Sequence, residues 1–174
     1  MPRNHFETER LNLRPLAKTD VELIVALNSD PEVMKYIGEP DDSYDNAKNY
    51  VEMRVDGYAD QDGLGIFVAE AKDTGEAIGW FCLKNLDDTE EIEIGYRLLR
   101  KDWGKGYATE GARCLVDFGF KELQLKEIVG VTLPTNTPSQ HVLKKIGLQY
   151  EGIGRYYGFD LSYFKCKNST SIAR

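Results

Sequence analysis

The strongest structural signal in this chain is the sequence Tyr96-Arg-Leu-Leu-Arg-Lys-Asp-Trp-Gly-Lys-Gly-Tyr-Ala-Thr-Glu-Gly-Ala112. An apolar strand pattern ends within it, two glycines follow one residue apart, and a helix pattern begins at once. Glycine allows positive φ and lets a ligand approach the backbone closely. The start of a helix presents unpaired N–H groups and the positive end of the helix dipole. The pattern therefore predicts an anion site, of the kind that binds phosphate, at this turn.

Two common nucleotide-binding patterns do not fit this turn. A Walker A loop ends in Gly-Lys-Ser/Thr, which does not follow here. A dinucleotide-binding loop has a third glycine where this chain has Thr109, and an acidic residue after the next strand, which here runs into Pro134-Thr-Asn136. A bare Gly-x-Gly also occurs in ordinary strand-to-helix turns, so the flanking residues have to distinguish these interpretations.

The flanking residues resemble the acyl-CoA loop of the GNAT acetyltransferases, Gln/Arg-x-x-Gly-x-Gly/Ala, in the form Lys101-Asp-Trp-Gly-Lys-Gly106. Lys101 departs from that pattern, which has Gln or Arg at this position. The longer string Trp103 to Glu110 is similar to the RimJ/RimL branch, the protein N-terminal acetyltransferases and their relatives. The segments Thr8 to Pro15 and Asn136 to Leu148 are similar to two further motifs of that branch. The resemblance spans residues 8–152.

The order of strand and helix patterns predicts a mixed α+β sheet, and the resemblance implies the GNAT fold. That fold is a mostly antiparallel seven-stranded sheet, splayed at a central parallel pair and flanked by about four helices. The predicted strands are Arg10–Leu16, Leu64–Ala71, Ala77–Leu86, Glu91–Leu99, Ile128–Leu133, Leu148–Ile153 and Phe159–Cys166. We expect one domain over residues 1–174, with a polar tail over 167–174.

The composition indicates an ordinary globular protein. The chain has 174 residues, of which 41% are hydrophobic and 29% charged. No apolar run approaches the roughly 20 residues of a membrane helix, and the first residues lack the apolar core of a signal peptide. The three cysteines are widely spaced and there are only two histidines, so we expect neither disulfides nor a metal site. These features predict a cytoplasmic protein with no membrane partner.

The net charge of −7 disfavours a nucleic-acid surface, which needs a basic stripe, and favours cationic partners. Acidic runs around Asp41 and Asp87 lie where the resemblance places the border of the acceptor cleft, so we expect a cationic amine acceptor. Such runs are also common in solvated loops. Whether two copies form a homodimer is left open.

The resemblance implies that acetyl-CoA is the cosubstrate and that backbone N–H groups of the glycine loop hold its pyrophosphate. The expected loop residues are Lys101, Gly104, Lys105, Gly106, Tyr107, Ala108 and Thr109. Trp103 is expected mainly to pack the loop onto the sheet.

The resemblance also implies where the pantetheine arm lies. In the family the central strand bulges, and the arm pairs with backbone just past the bulge, here Tyr96 to Leu98. Gly95, inside the strand pattern, marks the expected bulge. Asn136 is expected to hydrogen-bond the arm, with turn formation as its alternative role.

Two glutamates are candidates for the base that deprotonates the amine. Glu91 and Glu93 are two residues apart on a predicted strand and share a face, while Ile92 and Ile94 take the other face. Many GNAT enzymes place a base on this strand, and we favour Glu93 because it is nearer the expected bulge. Glu91, bulk water and a purely solvated sheet face remain alternatives.

The acid for the leaving thiolate is less obvious. The resemblance places the tyrosine that many members use at Leu143, so that acid is missing here. Ser139, near the helix start, is the expected replacement, because Thr137 is predicted to cap the helix. Tyr96, Tyr156 and Tyr157 would be the substitutes.

We therefore expect an acetyl-CoA-dependent N-acetyltransferase in which a primary amine attacks the thioester directly. Protein N-termini, polyamines and amino sugars are all open as acceptors. The alternative is a non-catalytic acyl-CoA-binding module that acts as a sensor or as a partner subunit. A nucleotide-binding oxidoreductase ranks below both, because the ribose-binding acid is absent.

Overall fold

The structure is a computed structural model and describes residues 5–61 and 63–169. Its strands are β1 Phe6–Glu7, β2 Leu11–Pro15, β3 Gly65–Ala71, β4 Ala77–Asn85, β5 Ile92–Leu98, β6 Glu127–Thr132, β7 Gln149–Tyr156 and β8 Phe159–Lys167. Its helices are α1 Val21–Ser29, α2 Pro31–Met34, α3 Tyr44–Gly57, α4 Tyr107–Lys121 and α5 Thr137–Lys145. A 3₁₀ turn, Arg100–Asp102, lies between β5 and α4.

The described strands form one eight-stranded sheet in the order β1-β2-β3-β4-β5-β6-β8-β7. Neighbouring strands are antiparallel except β5 and β6, which are parallel. The parallel pair is registered only at Glu93 and Val129, so the two strands separate beyond that point. The predicted fold class, a mixed sheet splayed at a central parallel pair, is confirmed.

The sheet has one strand more than predicted, and it is flanked by five α-helices. The additional strand is β1, in which Phe6 and Glu7 pair with Leu13 and Asn12. A two-residue strand is too short to show an alternating pattern, so the sequence does not predict it.

The two faces of the sheet carry separate apolar clusters. On one face, Phe81 of β4 and Ile94 of β5 pack with Leu115 of α4. On the other, Trp80 and Cys82 of β4 pack with helices α1 and α3. Because side chains alternate along a strand, Ile94 and Tyr96 face α4, whereas Glu93 and Arg97 face the side of α1 and α3.

The predicted bulge at Gly95 is absent. The register between β4 and β5 runs from Gly79 opposite Leu98 to Asn85 opposite Ile92 without a shift. A Cβ at Gly95 would lie 3.0 Å from Sγ of Cys82, its cross-strand neighbour. The glycine is therefore needed for close packing, and the splay arises from the short pairing of β5 with β6.

The polar tail was predicted to begin at Lys167, but the ordered structure continues past that residue. Lys167 is the last residue of β8, and Asn168 is 5% exposed. The backbone N–H of Asn168 donates to Lys126 O at 2.8 Å, and its side-chain amide donates to carbonyls of Phe120 and Leu125. Burial of a polar residue requires such partners, and sequence polarity alone does not reveal them. Residues 170–174 lie outside the described part of the chain.

No helix among the described residues is long and apolar enough to cross a membrane. Within the same residues, no group of three or more His, Cys, Asp or Glu side chains is arranged to hold a metal ion.

Candidate functional site

The loop between β5 and α4 has the backbone geometry of an anion site. Gly104 and Gly106 have φ of 72° and 82°, in the left-handed region. A Cβ at Gly104 would meet nothing within 4 Å, so the space above it is open. Gly106 is the N-cap of α4 and has no side chain to cap it. The first N–H groups of this helix, from Tyr107 onwards, therefore lack a side-chain acceptor and point into the loop.

Both lysines of the loop have carboxylate partners. Lys101 is exposed and lies 2.8 Å from Glu76, just before β4, while Lys105 lies 3.3 Å from Asp102. Lys101 and Glu76 are both exposed, and an exposed pair contributes little free energy. Asp102, by contrast, is buried, while Lys105 is half exposed.

Trp103 is 46% exposed, and its indole N–H donates to Leu98 O at 2.9 Å. The expected packing of Trp103 onto the sheet is thus replaced by a hydrogen bond to the end of β5. The sequence could not indicate this, because an indole can be buried or can use its N–H alone.

A network that the sequence did not predict fixes α4 against the turn between β1 and β2. The Glu110 carboxylate accepts hydrogen bonds from Thr8 Oγ1 at 2.6 Å, from Arg10 N at 2.8 Å and from Arg10 Nε at 2.7 Å. Arg10 also donates to Lys105 O at 2.8 Å and lies over the Tyr107 ring. Burial alone would raise the pKa of Glu110, but the hydrogen bonds from Thr8 and Arg10 outweigh it and lower that pKa. The first motif of the chain therefore supports the glycine loop.

Beyond Glu93, the edge of β5 that faces β6 has no strand partner. Leu99 N donates to Ile78 O at 2.8 Å, on the β4 side. Because backbone direction alternates along a strand, the N–H and C=O groups of Tyr96 and Leu98 point to the β6 side. The Leu98 carbonyl accepts from Trp103, which leaves the other groups available to an extended ligand in the gap.

Tyr96 and Ser139 meet on the α4 side of the gap. The Tyr96 hydroxyl donates to Ser139 Oγ at 3.3 Å, although the two residues are 43 positions apart. Burial raises the pKa of Tyr96, against a smaller opposite effect of the Ser139 hydrogen bond. The phenol therefore stays protonated at neutral pH and remains a donor.

The predicted cap of α5 was wrong. Asn136, and not Thr137, is the N-cap, and its Oδ1 accepts from Ser139 N at 3.2 Å. Thr137 is already the first helical residue, followed by Pro138. Asparagine is among the strongest N-cap residues, so the two candidates could not be separated by residue type. The capping bond uses the Asn136 carbonyl oxygen and leaves its amide N–H groups free for other partners.

Leu143 is 2% exposed and packs against β6. A Cβ at Gly130 would lie 2.8 Å from Leu143 Cδ2, which shows how closely the two approach. The position where the resemblance expects an acidic tyrosine thus holds a core aliphatic side chain, and the hydroxyls beside the gap come from Tyr96 and Ser139.

Glu93 is buried and held at one oxygen. Its Oε1 accepts from Lys84 Nζ, which lies opposite on β4, and from the Tyr157 hydroxyl in the turn after β7. None of the described residues donates to its Oε2. Burial disfavours the charge on Lys84, but the Glu93 carboxylate outweighs it and raises the pKa of Lys84. Lys84 therefore stays protonated at neutral pH, and the Glu93 carboxylate uses one oxygen for both bonds.

Tyr157 connects the last hairpin to this pair. It adopts φ of 53°, uncommon outside glycine. Its hydroxyl accepts from Lys84 Nζ at 2.7 Å and from Asp87 N at 2.9 Å, and its own N–H donates to Asp87 Oδ2 at 2.6 Å. Sequence reasoning missed Lys84 and named Tyr157 only as a substitute acid. A lysine inside the apolar strand Ala77–Leu86 was the available signal.

Glu91, the other candidate base, lies in a separate network. It accepts from the Tyr163 hydroxyl on β8, and Lys165 Nζ is 3.7 Å away. Glu91 is partly exposed, whereas Glu93 is 6% exposed. The two glutamates share a face as predicted, but their environments differ.

Comparisons with known proteins agree with this geometry. Residues 10–149 match the family described as "Acetyltransferase (GNAT) domain". Over 157 residues, the chain is 38% identical to "Uncharacterized N-acetyltransferase p20" of Bacillus licheniformis, covering 86% of this chain and 85% of that protein. It is 36% identical to the "FsC-acetyl coenzyme A-N(2)-transacetylase" of Aspergillus fumigatus, covering 83% of this chain and 65% of that protein.

A solved structure described as an acetyltransferase of the GNAT family from Bacillus anthracis superimposes with a TM-score of 0.79 at 28% identity, covering 94% of this chain and 98% of that chain. The match of family, relatives and fold extends over most of both partners. The chain therefore belongs to the GNAT family of acetyl-CoA-dependent N-acetyltransferases.

Proposed function

We propose that the chain transfers the acetyl group of acetyl-CoA to a primary amine that attacks the thioester directly. One observation carries the proposal: an uncapped helix start adjoins an open strand edge, since α4 begins after Gly106 and β6 separates from β5 after Glu93. A pyrophosphate fits the first feature, and an extended pantetheine arm fits the second, as an added strand does. The segments Thr8–Pro15 and Trp103–Glu110 support membership of the RimJ/RimL-like branch.

The proposed pyrophosphate donors are backbone N–H groups, because the loop offers several within one turn. They belong to Gly104, Gly106, Tyr107, Ala108 and Thr109. Lys105, whose half-exposed side chain bonds Asp102, adds positive charge beside the loop. Lys101 adds a second positive charge, and its exposed pair with Glu76 is weak enough to break for a phosphate.

The proposed contacts to the pantetheine arm are the backbone of Tyr96 and Leu98 and the side-chain amide of Asn136. A backbone N–H that points at the thioester carbonyl stabilises negative charge as it develops there, an effect worth about 3 kcal/mol in other enzymes. The Tyr96 N–H is the first such group past the Glu93–Val129 pair.

Glu93 is the proposed base. Its Oε1 is anchored by Lys84 and Tyr157, so its Oε2 has a fixed position from which to accept the ammonium proton, directly or through water. Glu93 faces the side of α1 and α3, whereas Tyr96 faces α4. The proposed base, Glu93, and the hydroxyls of Tyr96 and Ser139 thus lie on opposite sides of the gap. Such an arrangement suits an amine that attacks the thioester from one side while the thiolate leaves on the other.

Ser139 is the proposed acid for the departing thiolate. It accepts from the Tyr96 hydroxyl, so its own proton is free to point at the sulfur. Donation leaves an alkoxide that the Tyr96 hydroxyl can neutralise in the same chain of hydrogen bonds. The two hydroxyls therefore act as one unit in place of the tyrosine missing at Leu143.

The second candidate function is a non-catalytic acyl-CoA-binding module. It is favoured by Leu143 at the usual acid position and by the occupation of Glu93 Oε1 by Lys84. Release of free thiol from acetyl-CoA in the presence of primary amines separates the two functions. Turnover with any amine supports the transferase, and tight CoA binding without turnover supports the module.

The glycine loop is tested by Gly106→Val. We expect acetyl-CoA affinity to be lost, because a β-branched side chain at φ of 82° fills the space above the helix start and strains the backbone. Isothermal titration calorimetry with acetyl-CoA measures this directly.

The matched control is Gly75→Val, in the turn between β3 and β4. Gly75 has φ of 72° and nothing within 4 Å of its would-be Cβ, so the variant introduces similar backbone strain away from the loop. Equal acetyl-CoA affinity in both folded variants would overturn the assignment of the loop.

A further inference from the structure

A charged layer lies under α1 and α3, within an otherwise apolar face of the sheet. Its cross-strand pairs are Trp80 with Arg97, Cys82 with Gly95, and Lys84 with Glu93. Glu93 and Arg97 are four residues apart on β5, about 13 Å along the strand. Between them stands Gly95, where a Cβ would meet a single atom within 4 Å, the Cys82 Sγ. The layer therefore has no large side chain between the proposed base and Arg97.

No carboxylate among the described residues pairs with Arg97. Among the described residues its side chain makes one hydrogen bond, from Nη1 to Asn28 Oδ1 on α1 at 2.8 Å. Its Nε is buried without a partner, and its guanidinium lies over the Trp80 ring. Burial lowers the pKa of Arg97, and the groups that oppose this are a phenol and a thiol, Tyr50 and Cys82. A buried guanidinium without a counter-ion is costly, so its retention indicates a ligand.

The surrounding charges leave an excess of cations. Burial raises the pKa of Cys82 to about 12; Glu93 adds to that rise, while Lys84 and Arg54 oppose it. The charges of Glu93, Lys84 and Arg54 therefore all lie close enough to influence the Cys82 thiol. The Arg54 guanidinium on α3 lies over the Tyr50 ring, and its Nε is likewise buried without a partner. Around Cys82, the described residues therefore place three cations, Arg54, Lys84 and Arg97, and one carboxylate, Glu93, in a chain whose net charge is −7.

We propose, on the basis of the acetyl transfer argued above, that the acceptor is a zwitterion: a primary amine that also carries a carboxylate, such as an amino acid or short peptide. The amine lies at Glu93 and the carboxylate binds Arg97, with Arg54 adding positive charge. Arginine suits this role because its planar fork binds a carboxylate through two hydrogen bonds. Glu93 and Lys84 already neutralise each other, so the excess charge is left for the substrate.

The first test compares matched substrates with the wild-type chain. Glycine, diglycine and triglycine are each paired with their C-terminal amides, and spermidine serves as an amine without a carboxylate. We expect each acid to exceed its amide in kcat/KM by about 10- to 100-fold, mainly through KM, as for a hydrogen-bonded ion pair. Equal rates for acids and amides, or a preference for spermidine, would overturn the inference and leave the acetyl transfer standing.

The second test removes the proposed carboxylate site. Arg97→Gln should abolish the preference for the acids over their amides, and Arg97→Lys should restore part of the preference. Lys121→Gln, an equal charge change on an exposed residue, is the control. If Arg97 only holds α1 through Asn28, the Gln variant will lower Tm and slow acids and amides equally, which contradicts the inference.

Binding gives a readout that does not depend on turnover. Titration of triglycine and its amide into the complex with CoA should show binding of the acid alone, and none to Arg97→Gln. Absence of turnover with every amine would refute the acetyl transfer. If the acid also failed to bind in that case, the zwitterion inference would fail with it.

Discussion

Glu93 is anchored at one carboxylate oxygen by Lys84 and Tyr157, and the other oxygen has no partner among the described residues. A base must be fixed in position yet keep a lone pair for the proton that it takes. The Lys84 ammonium lies against this carboxylate, and that contact raises the pKa of Lys84.

Glu93→Gln should lower kcat/KM at neutral pH by about 10²- to 10⁴-fold, the usual range for a general base. The deficit should shrink as pH rises, because the amine is then deprotonated by solvent. A pH–rate profile from pH 6 to about 10 measures both effects.

Glu91→Gln is the matched control, since Glu91 lies on the same face and also has tyrosine and lysine neighbours. If the profile of Glu93→Gln coincides with the wild type and that of Glu91→Gln is lowered, the base is Glu91. If neither variant differs from the wild type, water performs the step.

At Ser139, the structure extends the residue-level prediction to a pair. Ser139→Ala should lower kcat by about 10- to 100-fold, the lower part of the acid–base range, because CoA thiolate is already a fair leaving group. The Kd for acetyl-CoA should change little, since one hydroxyl adds little to many backbone contacts. Steady-state kinetics and calorimetry test the two quantities separately.

Tyr96→Phe removes only the hydroxyl that donates to Ser139 and should reduce kcat in the same direction. The effects of groups that act as a unit are not additive. The double variant should therefore lose no more kcat than the less active of the two single variants. Independent, multiplicative losses would show that the two hydroxyls act separately.

At the scale of elements, α4 is joined through Glu110 to the turn between β1 and β2. Its carboxylate accepts from Thr8 and Arg10, across about one hundred residues of sequence. Arg10 in turn holds the carbonyl of Lys105, inside the glycine loop. The position of the helix start, and hence of its N–H groups, thus depends on a turn near the beginning of the chain.

Glu110→Gln should therefore destabilise the fold by roughly 1.5–3 kcal/mol at pH 7, the range for hydrogen bonds to a charged group. The pKa of Glu110 is lowered in the folded state, so its contribution is present above the unfolded pKa of about 4.3 and is lost as pH falls through the folded pKa. Urea denaturation at pH 7 and about pH 2 should show the two proteins converging in acid.

Glu122→Gln, an exposed residue just after α4, is the control for loss of one negative charge. It should have no comparable effect at either pH. An equal loss of stability in both variants would mean that net charge, and not the contacts of Glu110, is responsible.

At the scale of the whole molecule, the sheet consists of two parts that meet at one registered pair of the parallel strands. The strands β1 to β5 form one part, and β6, β8 and β7 form the other. Tyr157, in the turn of the second part, bonds Glu93 and Lys84 of the first. A ligand in the gap that contacts both parts would stabilise the entire fold.

Acetyl-CoA and CoA should consequently raise Tm, while ATP and NAD should not. At one thousand times Kd a ligand adds about 4 kcal/mol, which corresponds to a shift of about 8 to 16 °C for a chain of this length. A thermal-shift panel of the four compounds measures this. A shift with NAD and none with CoA would contradict the assignment of the gap.

Local features of the sequence predicted much of this fold. The preference of glycine for positive φ predicted the turn at Gly104 and Gly106 and the start of α4. The spacing of apolar residues within a few positions predicted where most strands lie along the chain. The two-residue β1 lay below the length at which such spacing is informative. Gly95 was misread as a bulge because the close approach of Cys82 is invisible in one strand.

The sequence alone determined which elements form and where a helix start meets a glycine loop, since these depend on neighbours in the chain. Only the tertiary structure decided which side chains meet. Glu93 meets Lys84 and Tyr157 at separations of 9 and 64 residues, and Tyr96 meets Ser139 at 43. Such contacts depend on strand register, and a slip by one residue would move every side chain of a strand to the opposite face. The described residues also place no carboxylate beside Arg97, and this too depends on register, because register decides which side chains share a face.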